Sequence, residues 1–374
     1  QKGEFMDPAR SSSRNTNQLN DVFVIGAGAS VPYGFPTGAN LIQFLRKEDF
    51  TYGQMGNAQI LSSLGFTGVD PRFESGREAL EYWGNSPHGK FCSEWKRLIR
   101  GSVILTIDQF LKNLKDPLAR DFGKRLMARQ ILKSEENACM EVSASKGVPS
   151  SGSMHSIDWI QEFLTQVDLR ENWEEYLFSC VFLTFNYDRV LEFFIERFLV
   201  IDKNWSRDNA HQFIIEKMSI HHLNGCIGSL EQVPFGNLVG GVAEFDPLFD
   251  SPLKQSPPID WASVSARMRT VWEDPEHHAD AEKMQISAKD AVSKSNRIFV
   301  IGSSFIPENL VAIGLSDMVS GLEKPWIENL KATSMGLSPA QVQRAAELLG
   351  LPKDKPGHFF NMNARDFVVD HVAL

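Results

Sequence analysis

Residues 21–38, DVFVIGAGASVPYGFPTG, decide how the chain is built. The apolar run Val22 to Ile25 stops at Gly26, passes through Ala27, Gly28, Ala29 and Ser30, and turns at Gly34-Phe35-Pro36-Thr37-Gly38. A short apolar run ending in glycine reads as a buried strand entering a turn. Ala39 to Lys47 then has apolar residues at helical spacing, so the stretch predicts strand, loop and helix. A backbone this bare has two uses. Gly26 and Gly28 can let N–H groups approach a pyrophosphate resting on the following helix, or they can serve only a tight corner. The dinucleotide fingerprint of hydride-transfer enzymes fits poorly, because Val31 stands where a third small residue belongs. Glu48 and Asp49 also follow a helix instead of closing a second strand.

Three further apolar runs end in small or polar residues. Cys180 to Phe185 leads into Asn186-Tyr187-Asp188, with the helical pattern Arg189 to Arg197 after it. Met218 to Leu223 leads into Asn224-Gly225, and Arg297 to Ile301 into Gly302-Ser303-Ser304. Apolar strands alternating with helices predict an α/β fold, a Rossmann-like parallel sheet with helices on both faces. In such sheets ligands lie beyond the carboxyl ends of the strands, so the four clusters are expected to meet at one crevice. Asn186 and Asp188, two apart in extended chain, would share a pocket face. Alternatively, Asp188 caps the next helix and Asn186 tolerates a strained turn. His222 and Asn224 would share a face, with His221 on the other. A histidine there suits a general base, a ribose-hydroxyl partner or a satisfied sheet position. Asp108, in Ile107-Asp-Gln-Phe-Leu, reads as a helix-start residue of an amphipathic helix running into the 120s.

The chain has 374 residues and a formal net charge of −9, which argues against direct nucleic-acid binding by its surface as a whole. Cys92, Cys139, Cys180 and Cys226 form no Cys-x-x-Cys pair, so no metal site is legible. Scattered cysteines without a secretory signal suit a reducing cytoplasm, and no apolar run reaches the ~20 residues of a membrane span. Residues 1–20 read as a tag remnant, QKGEF, followed by a mobile polar tail. Residues 49–76 read as an irregular excursion, 143–154 as a polar break and 261–295 as a helical stretch. Ser338-Pro339-Ala340-Gln341 reads as a helix start with a capping box.

Taken in order, Gly26-Ala-Gly-Ala-Ser30 with Gly34-Phe-Pro36, Thr184-Phe-Asn-Tyr-Asp188, Asn224-Gly225 and Gly302-Ser-Ser304 resemble the motifs of sirtuin-like NAD-binding proteins. The chain lacks the zinc ribbon of the deacylases and replaces their Asp-Phe-Arg with Thr37-Gly38-Ala39. In this form, with Ile107-Asp-Gln-Phe-Leu111, it resembles the bacterial anti-phage defence branch, whose members hydrolyse NAD+ to nicotinamide and ADP-ribose. The resemblance implies one domain over 21–374 with a helical insertion at about 49–175. NAD+ would be the substrate and no metal would be needed. Gly26, Ala27, Gly28, Ser30, Pro36, Thr37, Asn224, Gly302, Ser303 and Ser304 would bind the nucleotide, and Asn186, His222 and Asp188 would act on it. Deacylases place their catalytic histidine where this chain has Asn224. The role is expected to pass to His222, or to His221, or to Asn186 alone positioning water. The implied partners are a homo-oligomer or a HerA-type ATPase. A non-catalytic NAD or ADP-ribose sensor and a zinc-free deacylase or ADP-ribosyltransferase are the competing readings.

Overall fold

The computed structural model describes residues 21–47, 60, 86–144, 158–233, 235–236, 259–270, 279–316, 327–351 and 356–372. In chain order the first elements are β1 (Asp21–Ile25), a 3₁₀ segment (Ala27–Tyr33) and α1 (Gly38–Lys47). The helices α2 (Pro87–Gly101), α3 (Ile107–Asn113), α4 (Pro117–Ala144), α5 (Trp159–Asp168) and α6 (Trp173–Ser179) come before β2 (Val181–Thr184). Next are α7 (Val190–Arg197), α8 (Arg207–Glu216), β3 (Ser219–His222), α9 (Trp261–Arg267), α10 (Ala279–Lys294) and β4 (Arg297–Ile301). The chain closes with α11 (Pro307–Ala312), β5 (Leu330–Thr333), α12 (Pro339–Leu349), β6 (Phe359–Phe360) and α13 (Ala364–His371).

The six strands form one parallel sheet in the order β3-β2-β1-β4-β5-β6. This is a Rossmann-like α/β architecture. The chain steps outward from β1 to β3 and then returns to the other side of β1, which places the reversal of strand order between β1 and β4. In open parallel sheets of this kind that point, beyond the strand ends, is where ligands are received.

Both faces of the sheet are covered. Phe23, Phe182 and Phe299 stand in register on one face, Phe23 at 5.1 Å from Phe182 and 5.2 Å from Phe299 between ring centroids. Phe163 of α5 meets the edge of Phe23 at 5.2 Å. Val22, Val24, Leu183, Ile298 and Val300 line the other face with Val292, Leu310 and Leu349. Burying each of these large side chains contributes roughly 1.5–3 kcal/mol, which is why the central strands β1, β2 and β4 are apolar over most of their length.

Some expectations change. Four strands were legible, and the sheet has six, because β5 and β6 are short. The helix opened by Ile107 stops at Asn113, and Pro117 starts a new one that runs to Ala144. Proline lacks the N–H an interior helical position needs but fits the first turn. The stretch 261–295 contains two described helices, α9 and α10. The capping box is present: Ser338 N–H donates to Gln341 Oε1 at 2.8 Å, and Gln341 N–H to Ser338 Oγ at 3.3 Å. The predicted N-terminal tail and nearly all of the excursion at 49–76 lie outside the described residues.

Candidate functional site

The turn after β1 is welded to the turn after β4. Gly26 N–H donates to Ile301 O and Gly28 N–H to Gly302 O, both at 2.9 Å. A Cβ on Gly26 would stand 2.6 Å from Gly302 O, and one on Gly28 would stand 2.8 Å from the same atom. Gly302 has φ +64° and would push a Cβ to 2.0 Å from Ala29 N. Of the two uses open to these glycines, the close corner is the one the backbone fulfils. The Gly26 and Gly28 amides, expected to approach a pyrophosphate, donate here to the β4 end and the turn after it. Indole Nε1–H of Trp159 donates to Ala29 O at 2.9 Å, and the Tyr33 hydroxyl donates to Asp158, which caps α5.

Ser30 and Asn186 join this corner to the end of β2. Asn186 Nδ2 donates to Gly26 O at 3.2 Å and to Ser30 Oγ at 2.9 Å. With both amide hydrogens given away, the Asn186 side chain has one orientation. Its Oδ1 is buried and has no partner. A buried acceptor left alone is costly, roughly 1–3 kcal/mol, and such atoms mark places where a ligand or water is received. Asn186 does not have a positive φ, so a left-handed turn does not account for it.

Asp188 is buried beside it. Its Oδ1 accepts the Val190 N–H at 3.3 Å, so it also caps α7, and the Ser30 hydroxyl donates to its carboxylate. Burial raises its pKa from 3.8 to about 6, against the lowering effect of Ser30, the Val190 N–H and His222. The carboxylate therefore changes charge close to neutrality.

His222 does not meet the expectation of a free base. Its Nδ1 lies 3.0 Å from Asn186 O, and its Nε2 lies 2.6 Å from Glu192 Oε1. Burial alone would lower its pKa, but Glu192 holds the ring charged to about 10. Both ring nitrogens are engaged by neighbouring oxygens. His221 is half-buried on the edge strand, its pKa lowered by burial and by His222.

Asn224 is a brace. Its Nδ2 donates to Phe185 O at 3.1 Å, and its carbonyl accepts Arg269 N–H at 2.7 Å. Gly225, at φ +73°, would drive a Cβ to 1.8 Å from Arg267 O. Thr37 caps α1 by accepting Asn40 N–H at 3.3 Å, and Pro36 sits half-buried in the lead to that helix. Ser303 Oγ accepts Phe305 N–H at 3.1 Å, and Ser304 is exposed. The rim thus gathers Gly26–Ser30, Asn186, Asp188 and Gly302. It puts Thr37, His222 and Asn224 into supporting contacts.

Several residues at the rim were not singled out from the sequence. Tyr187 O–H lies 2.8 Å from Asp108 Oδ1 and 2.9 Å from Arg269 O, which brings α3 against the β2 end. Arg189 is 1% exposed and pairs with the fully buried Glu135 at 2.6 Å. It also donates to the Gly228 and Ser229 carbonyls at 3.1 Å and to Val233 O. Glu192, in the first turn of α7, faces both His222 and Asp188 and was not singled out from the sequence. Among the described residues no cluster of His, Cys, Asp and Glu could hold a metal ion, and no helix is long and apolar enough to cross a membrane. No family model, curated protein or solved structure matches the chain.

Proposed function

We propose that the chain is a sirtuin-like NAD+ glycohydrolase that releases nicotinamide and ADP-ribose, as the motif resemblance implies. The observation that carries this reading is the buried, partnerless Oδ1 of Asn186, fixed in direction by Gly26 O and Ser30 Oγ. An amide oxygen held this way receives a hydroxyl or a water, and NAD+ supplies ribose hydroxyls beside its scissile bond. Asp188, ionised above about 6, would accept the carboxamide N–H₂ of nicotinamide. Cleavage moves positive charge from the pyridinium to an oxocarbenium-like ribose. The protein's work is then placement and dipole stabilisation more than proton transfer, which suits a rim where both His222 ring nitrogens are already engaged. The pyrophosphate would pass over the lip at Ala27 and Ser303–Ser304.

The test is to incubate the purified chain with NAD+ and separate the products. Nicotinamide and ADP-ribose in equal amounts are expected. Intact NAD+ recovered from the protein by mass spectrometry would instead support the non-catalytic sensor, the reading favoured by Asn224 standing where deacylases have histidine. A zinc-free deacylase or ADP-ribosyltransferase would transfer ADP-ribose to an acceptor instead of water. Within the proposal the enzyme serves anti-phage defence and is held in check by assembly, with itself or with a HerA-type ATPase. Light scattering that shows only a monomer, with and without that ATPase, would remove this part.

A further inference from the structure

We propose that His222 is a positioning residue: its ring donates Nδ1–H to the Asn186 carbonyl and Nε2–H to Glu192, fixing the Asn186–Asp188 segment without itself transferring a proton. The inference rests on the reading of Asn186 as the centre of the site. Both acceptors are 3.0 Å or closer. A carbonyl oxygen cannot donate, and Glu192 is held ionised: burial alone would raise its pKa, but His222 keeps it below the usual carboxylate range. Both ring nitrogens must therefore carry hydrogen. The remaining titratable groups that face the ring are Cys226, Asp188 and His221.

The clamp has a direct consequence for geometry. Asn186 is held through its side chain by Gly26 and Ser30 and through its carbonyl by His222, with its own N–H on Thr184 Oγ1 at 3.1 Å. Three strand ends thus set the direction of one amide oxygen. Asn224 adds a fourth tie by holding the Phe185 carbonyl. A shift of the β3 end would rotate the Asn186 peptide and carry Oδ1 with it, and misplacement of about 1 Å at a reacting centre costs on the order of 10²-fold in rate.

Two measurements test this. In nitrogen-15 spectra of the histidine-labelled full chain, the His222 resonances should show both ring nitrogens protonated at pH 8. The His222→Gln and Glu192→Gln variants assign them independently. A bare ring nitrogen at pH 8 would overturn the proposal. In nicotinamide release, His222→Gln keeps an N–H for the Asn186 carbonyl and should retain kcat within about threefold, whereas His222→Ala should lose at least about tenfold. Equal, severe loss in both folded variants would instead mark a proton-transfer role and overturn the inference. If the wild-type chain releases no nicotinamide, the proposed function fails, and the ring spectra still decide the positioning role.

Discussion

At the scale of single residues, Asp188 carries a pH dependence that can be worked out in sign. Burial raises its pKa from 3.8 to about 6, so the fold favours the protonated form. That contribution to stability is fully present below 3.8 and is lost as pH rises through about 6. Asp188→Asn should therefore stabilise the fold at pH 8 by on the order of 1–3 kcal/mol, read as a higher thermal midpoint, and change little at pH 3.5 or below. Activity should run the other way. Nicotinamide release by the wild type should climb through a midpoint near 6, and Asp188→Asn should lose that limb along with most of its turnover. A pH–rate profile checks both. Asn186 and Asp188 were legible because an amide and a carboxylate two apart directly follow an apolar run. The role of His222 was not, since its partner Glu192 lies 30 positions away and one helix removed. Nor can sequence show that Gly26 and Gly28 have already given their amides to the β4 end and the turn after it.

At the scale of elements, the contact between the β1 and β4 turns sets the rim, and glycine is required there for a steric reason. Gly302→Ala would place a Cβ 2.0 Å from Ala29 N at φ +64°, against the Gly28–Ala29 backbone with no flexible side chain to yield. It should destabilise by more than about 3 kcal/mol or prevent folding. Gly34→Ala, at φ +81° with open space around it, should cost only about 1–2 kcal/mol. Chemical denaturation of the two variants side by side measures the difference, and similar losses would contradict the welded-turn account. β1, β2 and β4 were readable because each is a near-continuous apolar run, and β3 because Met218, Ile220 and Leu223 lead into Asn224-Gly225. β5 was not, because Leu330-Lys331-Ala332-Thr333 carries a lysine in a four-residue strand, and β6 has only Phe359 and Phe360. The break between α3 and α4 was written in Pro117, but apolar spacing on both sides of it concealed two helices as one.

At the scale of the whole molecule, a buried ion pair fastens the long helix α4 to the rim at the β2 end. Arg189, the residue after Asp188, pairs with Glu135, while Gly236 N–H donates to Glu135 Oε2 at 3.2 Å. Removing one partner leaves an uncompensated buried charge, so Arg189→Met should cost about 3–5 kcal/mol. The paired change Arg189→Met with Glu135→Leu should recover much of that loss, as a thermal-unfolding cycle would show. No sequence pattern connects positions 54 apart. The alternating strands and helices did predict the layered sheet, because burial on both faces leaves its mark along the central strands β1, β2 and β4.

The account as a whole turns on the amide of Asn186, and its most direct test is the turnover number for nicotinamide release by Asn186→Ala in a chain shown to be folded. The loss of one oriented group at a charge-developing centre predicts a fall of ~10²–10³, or roughly 3–4 kcal/mol, beside a wild type that turns over NAD+. A folded Asn186→Ala protein that works at the wild-type rate would contradict it.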